Sequence, residues 1–93
     1  MTADSIHYQL LVKGRVQGVG YRAFASRLAA GYNLKGYVKN MPDGSVRIEV
    51  EGPREILDQF VHSCKEGPVW ARVEEVLATQ SPIEGYSDFK VRY

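Results

Sequence analysis

Between Ser5 and Lys13 the apolar residues fall on alternate positions, Ile6, Tyr8, Leu10 and Val12, which predicts a strand with one face in a core. The period then changes. Tyr21, Phe24, Ala25 and Leu28 repeat at helical spacing, so a helix is expected from Tyr21 to Ala30, with Gly31 as its left-handed stop. Leu34 to Asn40 mixes glycine, aromatic and β-branched residues and reads as a second strand. Met41-Pro42-Asp43-Gly44 then has hairpin-turn chemistry: proline presets φ, aspartate bonds its local backbone and glycine takes positive φ. The clearest strand is Ser45 to Glu51, where Val46, Ile48 and Val50 face a core while Ser45, Arg47, Glu49 and Glu51 are expected in water. Gly52-Pro53 opens a second helix with Pro53 at its first position and a stripe of Ile56, Leu57, Phe60, Val61 and Cys64, stopped by Gly67-Pro68. A fourth strand follows from Ala71 to Thr79. Glu74-Glu75 interrupts its alternation, which predicts a bulge or a charge-guarded edge. Past Ser81-Pro82-Ile83-Glu84-Gly85 comes a short last strand, Phe89 to Tyr93, whose place in a sheet the pattern does not indicate.

The order is β, α, β, β, α, β and a short β, with two β-α-β halves of similar length. The expected fold is therefore α+β: a ferredoxin-like two-layer plait, βαββαβ plus a short C-terminal strand, with an antiparallel sheet carrying both helices on one face. Ninety-three residues suit one domain spanning 1–93 and leave no room for a separate cofactor domain. The start of the chain is polar and acidic and no run reaches membrane-spanning length, so neither export nor a membrane is expected. Cys64 is the single cysteine and can form no intrachain disulfide, which points to a reducing, cytoplasmic setting.

Charge sharpens the picture. The net charge is only +1, yet Ser5 to Pro42 contains no acid and carries Lys13, Arg15, Arg22, Arg27, Lys35 and Lys39. Such an imbalance makes a local positive field and favours a small anionic ligand. Nucleic acid is disfavoured, because the whole chain lacks a strong basic excess and the clearest strand is expected to expose Glu49 and Glu51.

The candidate chemistry lies where strand gives way to helix, in Gly14-Arg15-Val16-Gln17-Gly18-Val19-Gly20-Tyr21-Arg22. Its glycines permit a tight turn whose N–H groups converge, the helix that follows aims its positive end at the same point, and Arg22 adds a planar fork matched to two anion oxygens. A P-loop needs a lysine and a following hydroxyl that are missing after Gly20. The dinucleotide fingerprint is met by Gly18-Val19-Gly20-Tyr21-Arg22-Ala23, but no acid occurs between it and Asp43 to hold a ribose. A bare oxyanion cradle with one arginine remains.

This stretch resembles the first signature of the acylphosphatase family, Gly-x-Val-Gln-Gly-Val-x-aromatic-Arg. Gly36-Tyr37-Val38-Lys39-Asn40, with Gly44, Val46 and Gly52, is similar to its second, at the family's spacing. The two signatures cover the first half of the chain, and length and element order agree throughout. The resemblance implies hydrolysis of carboxyl-phosphate anhydrides to a carboxylate and inorganic phosphate, without metal or cofactor. It also implies that the backbone amides of Arg15, Val16, Gln17, Gly18, Val19, Gly20 and Tyr21 hold the phosphoryl group together with Arg22, and that Asn40 holds the attacking water. The expected partners are a small acyl phosphate and inorganic phosphate, bound by a monomer.

On spacing alone Asn40 reads better as a turn-forming residue before the hairpin, and it is the second signature that reverses this; a merely solvated helix-start Arg22 is disfavoured, because a cation there opposes the helix dipole unless an anion intervenes. A second reading is a non-catalytic plait that binds a small anion as a regulatory module, which would need the cradle and Arg22 but not Asn40. His7, off the apolar stripe of its strand, and His62, off that of the second helix, are expected to be structural. With no cluster at ligand spacing, a metal site is not expected. Cys64 continues an apolar stripe and is expected in the core.

Overall fold

A computed structural model describes residues 4–93. The elements are β1 (Ser5–Arg15), α1 (Tyr21–Gly31), β2 (Lys35–Asn40), β3 (Val46–Pro53), α2 (Arg54–Glu66), β4 (Arg72–Ser81) and β5 (Phe89–Arg92). They form a five-stranded sheet in the order β4-β1-β3-β2-β5. Leu10 and Val12 from β1, Val38 from β2 and Val46, Ile48 and Val50 from β3 are fully buried against Ala25 and Ala29 of α1 and Leu57, Phe60 and Cys64 of α2. The helices thus share one face of a ferredoxin-like plait, as the period-two and helical stripes require. Burial pushes the Cys64 thiol up to about 12, so it stays a neutral core group. The Tyr21 hydroxyl donates to the Cys64 carbonyl at 2.7 Å, pinning the first turn of α1 to the last turn of α2.

Pro53 lies one residue ahead of its expected place: it is the extended N-cap of α2, with ψ 141°, and Arg54 begins the helix. Both readings of Glu74-Glu75 hold together. β4 is an edge strand, and Lys13 pairs with Glu75 while Gly14 pairs with Val73, leaving Glu74 as the extra residue of a bulge.

Gly31 is the last residue of α1 rather than its left-handed stop, and the positive φ beyond the helix, 57°, falls on Asn33. Two expectations about the sheet also need correction. The sheet is antiparallel across β4, β1, β3 and β2 but mixed overall, because β5 runs parallel to β2. The cause is the connection through 82–88. Ser81 pairs with His7, His7 with Glu51, and Glu51 with Lys35, so these residues form one row across the sheet at the end where β2 begins. The connection follows that row, and the Asp88 carbonyl accepts the Gly36 N–H at 2.8 Å. A chain delivered to the start of β2 can extend alongside it only in the same direction. Seven residues reach roughly 25 Å, enough to cross strands spaced about 4.8 Å apart.

The same crossing strap overturns the second expectation. Glu49 and Glu51 do not lie in water: they are 5% and 6% exposed, and His7 between them is 1% exposed. The His7 ring reaches Glu51 Oε2 through Nδ1 at 2.8 Å and Glu49 Oε1 through Nε2. Arg47 Nε donates to Glu49 Oε2 at 2.7 Å and Gln9 Nε2 to the same oxygen at 2.9 Å. The strap closes the face with the N–H groups of Glu84, Gly85 and Tyr86, all donated to Glu51, and with the Tyr86 ring, 5.8 Å from that of His7. Buried charges of this kind persist because each is paired and hydrogen-bonded.

Burial by itself pulls the His7 pKa down, but bonds to Glu49 and Glu51 outweigh it and hold the imidazole above its ordinary value of 6.5. A raised value means that the stabilisation from the imidazolium is complete below 6.5 and is lost as pH climbs through the folded value. His7→Asn should therefore cost about 3 kcal/mol by urea unfolding at about pH 5.5, with the deficit shrinking by about pH 9. A deficit that is constant or grows with pH would show that the ring acts without its second proton.

Candidate active site

β1 ends at Arg15 and α1 begins at Tyr21, so the turn between them consists of Val16 to Gly20. It can be this short because Gly18 and Gly20 take φ of 73° and 80°. A side chain at either would meet no atom within 4 Å, so backbone conformation, not space, demands the glycines. Gly20 is the N-cap of α1 and offers no capping side chain, and the first turn of that helix contains no acid. Its N–H groups are therefore free of the usual side-chain acceptor, at the positive end of the helix dipole.

Beside this turn opens a cavity of about 220 Å³ lined by Val16, Gly18, Gly20, Tyr21, Arg22, Ala23, Asn40, Val91 and Tyr93. The two positions singled out in the sequence thus meet: Arg22 from the first turn of α1, and Asn40 from the end of β2. None of the ion pairs among the described residues involves Arg22. Its guanidinium is held by neutral groups instead: one nitrogen donates to the Arg92 carbonyl at 3.3 Å, and Cζ lies 4.6 Å from the centre of the Tyr93 ring. Asn40 Oδ1 is buried and has no hydrogen-bond partner. A buried acceptor without a partner is costly, which marks a place where a polar ligand would be gained.

The remaining cradle residues divide. Val16, Gly18, Gly20 and Tyr21 line the cavity, whereas Arg15 still belongs to β1, paired with Arg72, and the Val19 side chain packs on the core. The Gln17 side chain turns to the β2–β3 hairpin, where Nε2 donates to the carbonyls of Met41 and Ser45, both at 2.8 Å. Those bonds couple the turn to the residue next to Asn40. In the hairpin itself Asp43 Oδ1 accepts from the Ser45 N–H at 2.9 Å and from its hydroxyl at 2.6 Å, and these bonds hold the carboxyl below its ordinary range.

Val91 and Tyr93 belong to the cavity through β5, which no local pattern could place beside β2. A larger concavity of about 460 Å³ runs along Phe24, Arg27, Leu28, Gly31 and Tyr32, but it is open and mostly apolar and no polar groups converge there. Among the described residues no three His, Cys, Asp or Glu side chains are grouped as ligands for a metal ion. The sheet face that an RNA-binding plait uses for base stacking is covered here by the strap; Glu49 and Glu51 are not what blocks it. No helix among the described residues is long and apolar enough to cross a membrane.

A family model described as acylphosphatase matches residues 8–91. An acylphosphatase of Thermus thermophilus is 52% identical over 81 residues, which are 87% of this chain and 92% of that protein. That of Archaeoglobus fulgidus is 44% identical over 88 residues, covering 95% of this chain and 99% of the other. The crystal structure of acylphosphatase from Bacillus subtilis superposes with a TM-score of 0.92 at 40% identity, over 95% of this chain and 99% of that one. With a glycine-rich turn, an unpaired arginine and an unpartnered asparagine meeting at one cavity, and with likeness running nearly end to end, the chain belongs to the acylphosphatase family.

Proposed function

We propose that Arg22 and the amides of residues 15–21 bind the phosphoryl group of an acyl phosphate and that Asn40 positions the water that attacks it. The activity is hydrolysis of acyl phosphates, the reaction of the family. The observation that carries the assignment of roles is the buried, unpartnered Asn40 Oδ1 in the cavity that Arg22 lines. An acceptor there orients a water by taking one of its hydrogens, which leaves an oxygen lone pair free to approach phosphorus. A non-catalytic anion binder has no use for it.

Little else is required of the protein. The phosphoryl group in transfer is loosely bonded and highly charged, so positioning and charge stabilisation carry most of the catalysis. The P–O bond to the acyl oxygen breaks and the electron pair leaves with the carboxylate, which is stable without a general acid. The water oxygen becomes the fourth phosphate oxygen, and its proton passes to a phosphoryl oxygen. Arg22, lacking a carboxylate partner, has its charge free for the phosphoryl oxygens. Residues 1–93 act as one such domain, as a cytoplasmic monomer that takes acyl phosphate as substrate, releases inorganic phosphate, and uses neither metal nor cofactor.

Variant kinetics and a chelator assay test these roles. Arg22→Ala should lower activity by about a thousandfold or more and abolish inhibition by phosphate, and Arg22→Lys should not restore either, because a point charge cannot reproduce a planar fork. Assays in a chelator should show the wild type fully active; normal phosphate inhibition in Arg22→Ala would place the anion elsewhere.

Asn40→Ala should reduce kcat by about a hundred- to a thousandfold while phosphate inhibition and melting temperature stay close to wild type. Asn40→Asp should be at least as damaging, since its charge faces the phosphoryl oxygens. Wild-type kcat in Asn40→Asp would end the water-positioning assignment.

Gln17→Ala should separate activity from stability. The Ser45 carbonyl also accepts from Met41 and the Met41 carbonyl from Gly44, so neither is left bare and the stability cost should be about 1 kcal/mol. With the turn no longer tied to the Asn40 strand, kcat/KM should fall by about tenfold. An activity loss no greater than the loss of folded protein would mean that the tie is structural only.

A further inference from the structure

Arg22 is a half-buried arginine on the first turn of a helix, and an untethered side chain of that length has many rotamers to lose when it grips an anion. What orders it comes from the end of β5 and the residue after it: the Arg92 carbonyl and the Tyr93 ring. Yet β5 is an edge strand of four residues bonded to the sheet along one side only, which is a weak base for a precise contact.

Its anchorage lies on the other face of the sheet. The Glu51 carboxylate collects three consecutive strap N–H groups, from Glu84, Gly85 and Tyr86, and is itself fixed by His7. A few residues later the strap becomes β5. Two side chains then lock onto Tyr37 of β2: the Tyr86 ring meets it edge-on at 6.0 Å, and the Arg92 guanidinium lies 3.8 Å above it. Within one residue, Arg92 therefore has its side chain clamped on the helix-free face and its carbonyl bonded to Arg22.

We propose that Glu51 is a positioning residue for Arg22, acting through the strap and β5 from the opposite face of the sheet. The inference rests on the assignment of Arg22 as the phosphoryl-binding residue. Three backbone donors from successive residues need an acceptor with two oxygens and full negative charge, which at this place only an ionised carboxylate supplies. With that acceptor intact, the strap and β5 hold one register, and Arg22 meets the phosphoryl group with its guanidinium already oriented. With it weakened, β5 shifts or frays, and Arg22 must be ordered by the ligand itself. Asn40 stands on β2, which β3 pairs independently, so the water position should be little affected.

The test is Glu51→Gln, which keeps the shape but turns an NH2 group toward donors. KM for an acyl phosphate and the inhibition constant of inorganic phosphate should rise together, by about tenfold, while kcat changes less than about threefold. All are measured well below the melting temperature of the variant. Tyr37→Leu removes the clamp on Tyr86 and Arg92 without touching the cavity, and should move both constants the same way; it decides the matter alone if Glu51→Gln does not fold. A lower melting temperature with unchanged KM and phosphate inhibition would overturn the proposal, and so would a fall in kcat alone. Arg22→Ala, run beside them, separates the two levels. If it loses phosphate inhibition while Glu51→Gln and Tyr37→Leu are unaffected, only the coupling is wrong; if it retains phosphate inhibition, the assignment of Arg22 fails and the coupling with it.

Discussion

The pairing of β1 with β3 is the constraint on which the rest of the molecule depends. It runs from Ser5 opposite Pro53 to Val12 opposite Val46. At one end it brings the turn after Arg15 beside the hairpin that follows Asn40, close enough for Gln17 to bond two hairpin carbonyls. At the other end it sets His7 opposite Glu51. A slip of one residue would turn either Leu10 and Val12 or Ile48 and Val50 away from the helices and break both arrangements at once, since side chains alternate faces along a strand. Burial of the apolar set against α1 and α2 therefore fixes the geometry of two polar sites without any direct contact with them.

Those two sites treat charge in opposite ways. On the helix-free face charges are matched within the protein: His7 bridges two carboxylates, Arg47 adds a second cation, and three strap amides complete the shell of Glu51. That arrangement favours the folded chain and has nothing left to offer a ligand. At the cavity the match is incomplete. A helix N-terminus without a cap, an arginine without a carboxylate and an asparagine oxygen without a donor are all left for something from outside. Such groups cost stability in the free protein and would become favourable on binding the anion and water proposed for this site. The well-paired face carries the strap that places β5, so the satisfied site also supports the unsatisfied one.

A neutral asparagine fits this division better than a carboxylate would. Phosphoryl oxygens carry charge throughout the reaction, and an acid beside them would repel the substrate that the turn and Arg22 are proposed to bind. The chemistry tolerates a weak acceptor because the carboxylate leaves readily and the proton has a phosphoryl oxygen to go to. The absence of acids from Ser5 to Pro42 follows the same logic at the scale of the segment.

Much of this was legible in the order of residues. Alternation and helical spacing are set by the geometry of a single strand or helix, so the seven elements, the bulge at Glu74 and the shared apolar face could all be read locally. Turn chemistry is local too, so the glycine-rich stretch and Arg22 stood out from the residues themselves, whereas Asn40 was marked only by its place in the second family signature. What depended on tertiary structure involved residues far apart in the chain. The parallel pairing of β5, and with it Val91 and Tyr93 in the cavity, follows from a strap whose path only the assembled sheet defines. The burial of Glu49 and Glu51 was misread from alternation for the same reason. A strand's pattern tells which residues share a face, but whether that face meets water or another segment is decided by what crosses it, and here residues 84–86 cross it to reach a carboxylate more than thirty positions earlier.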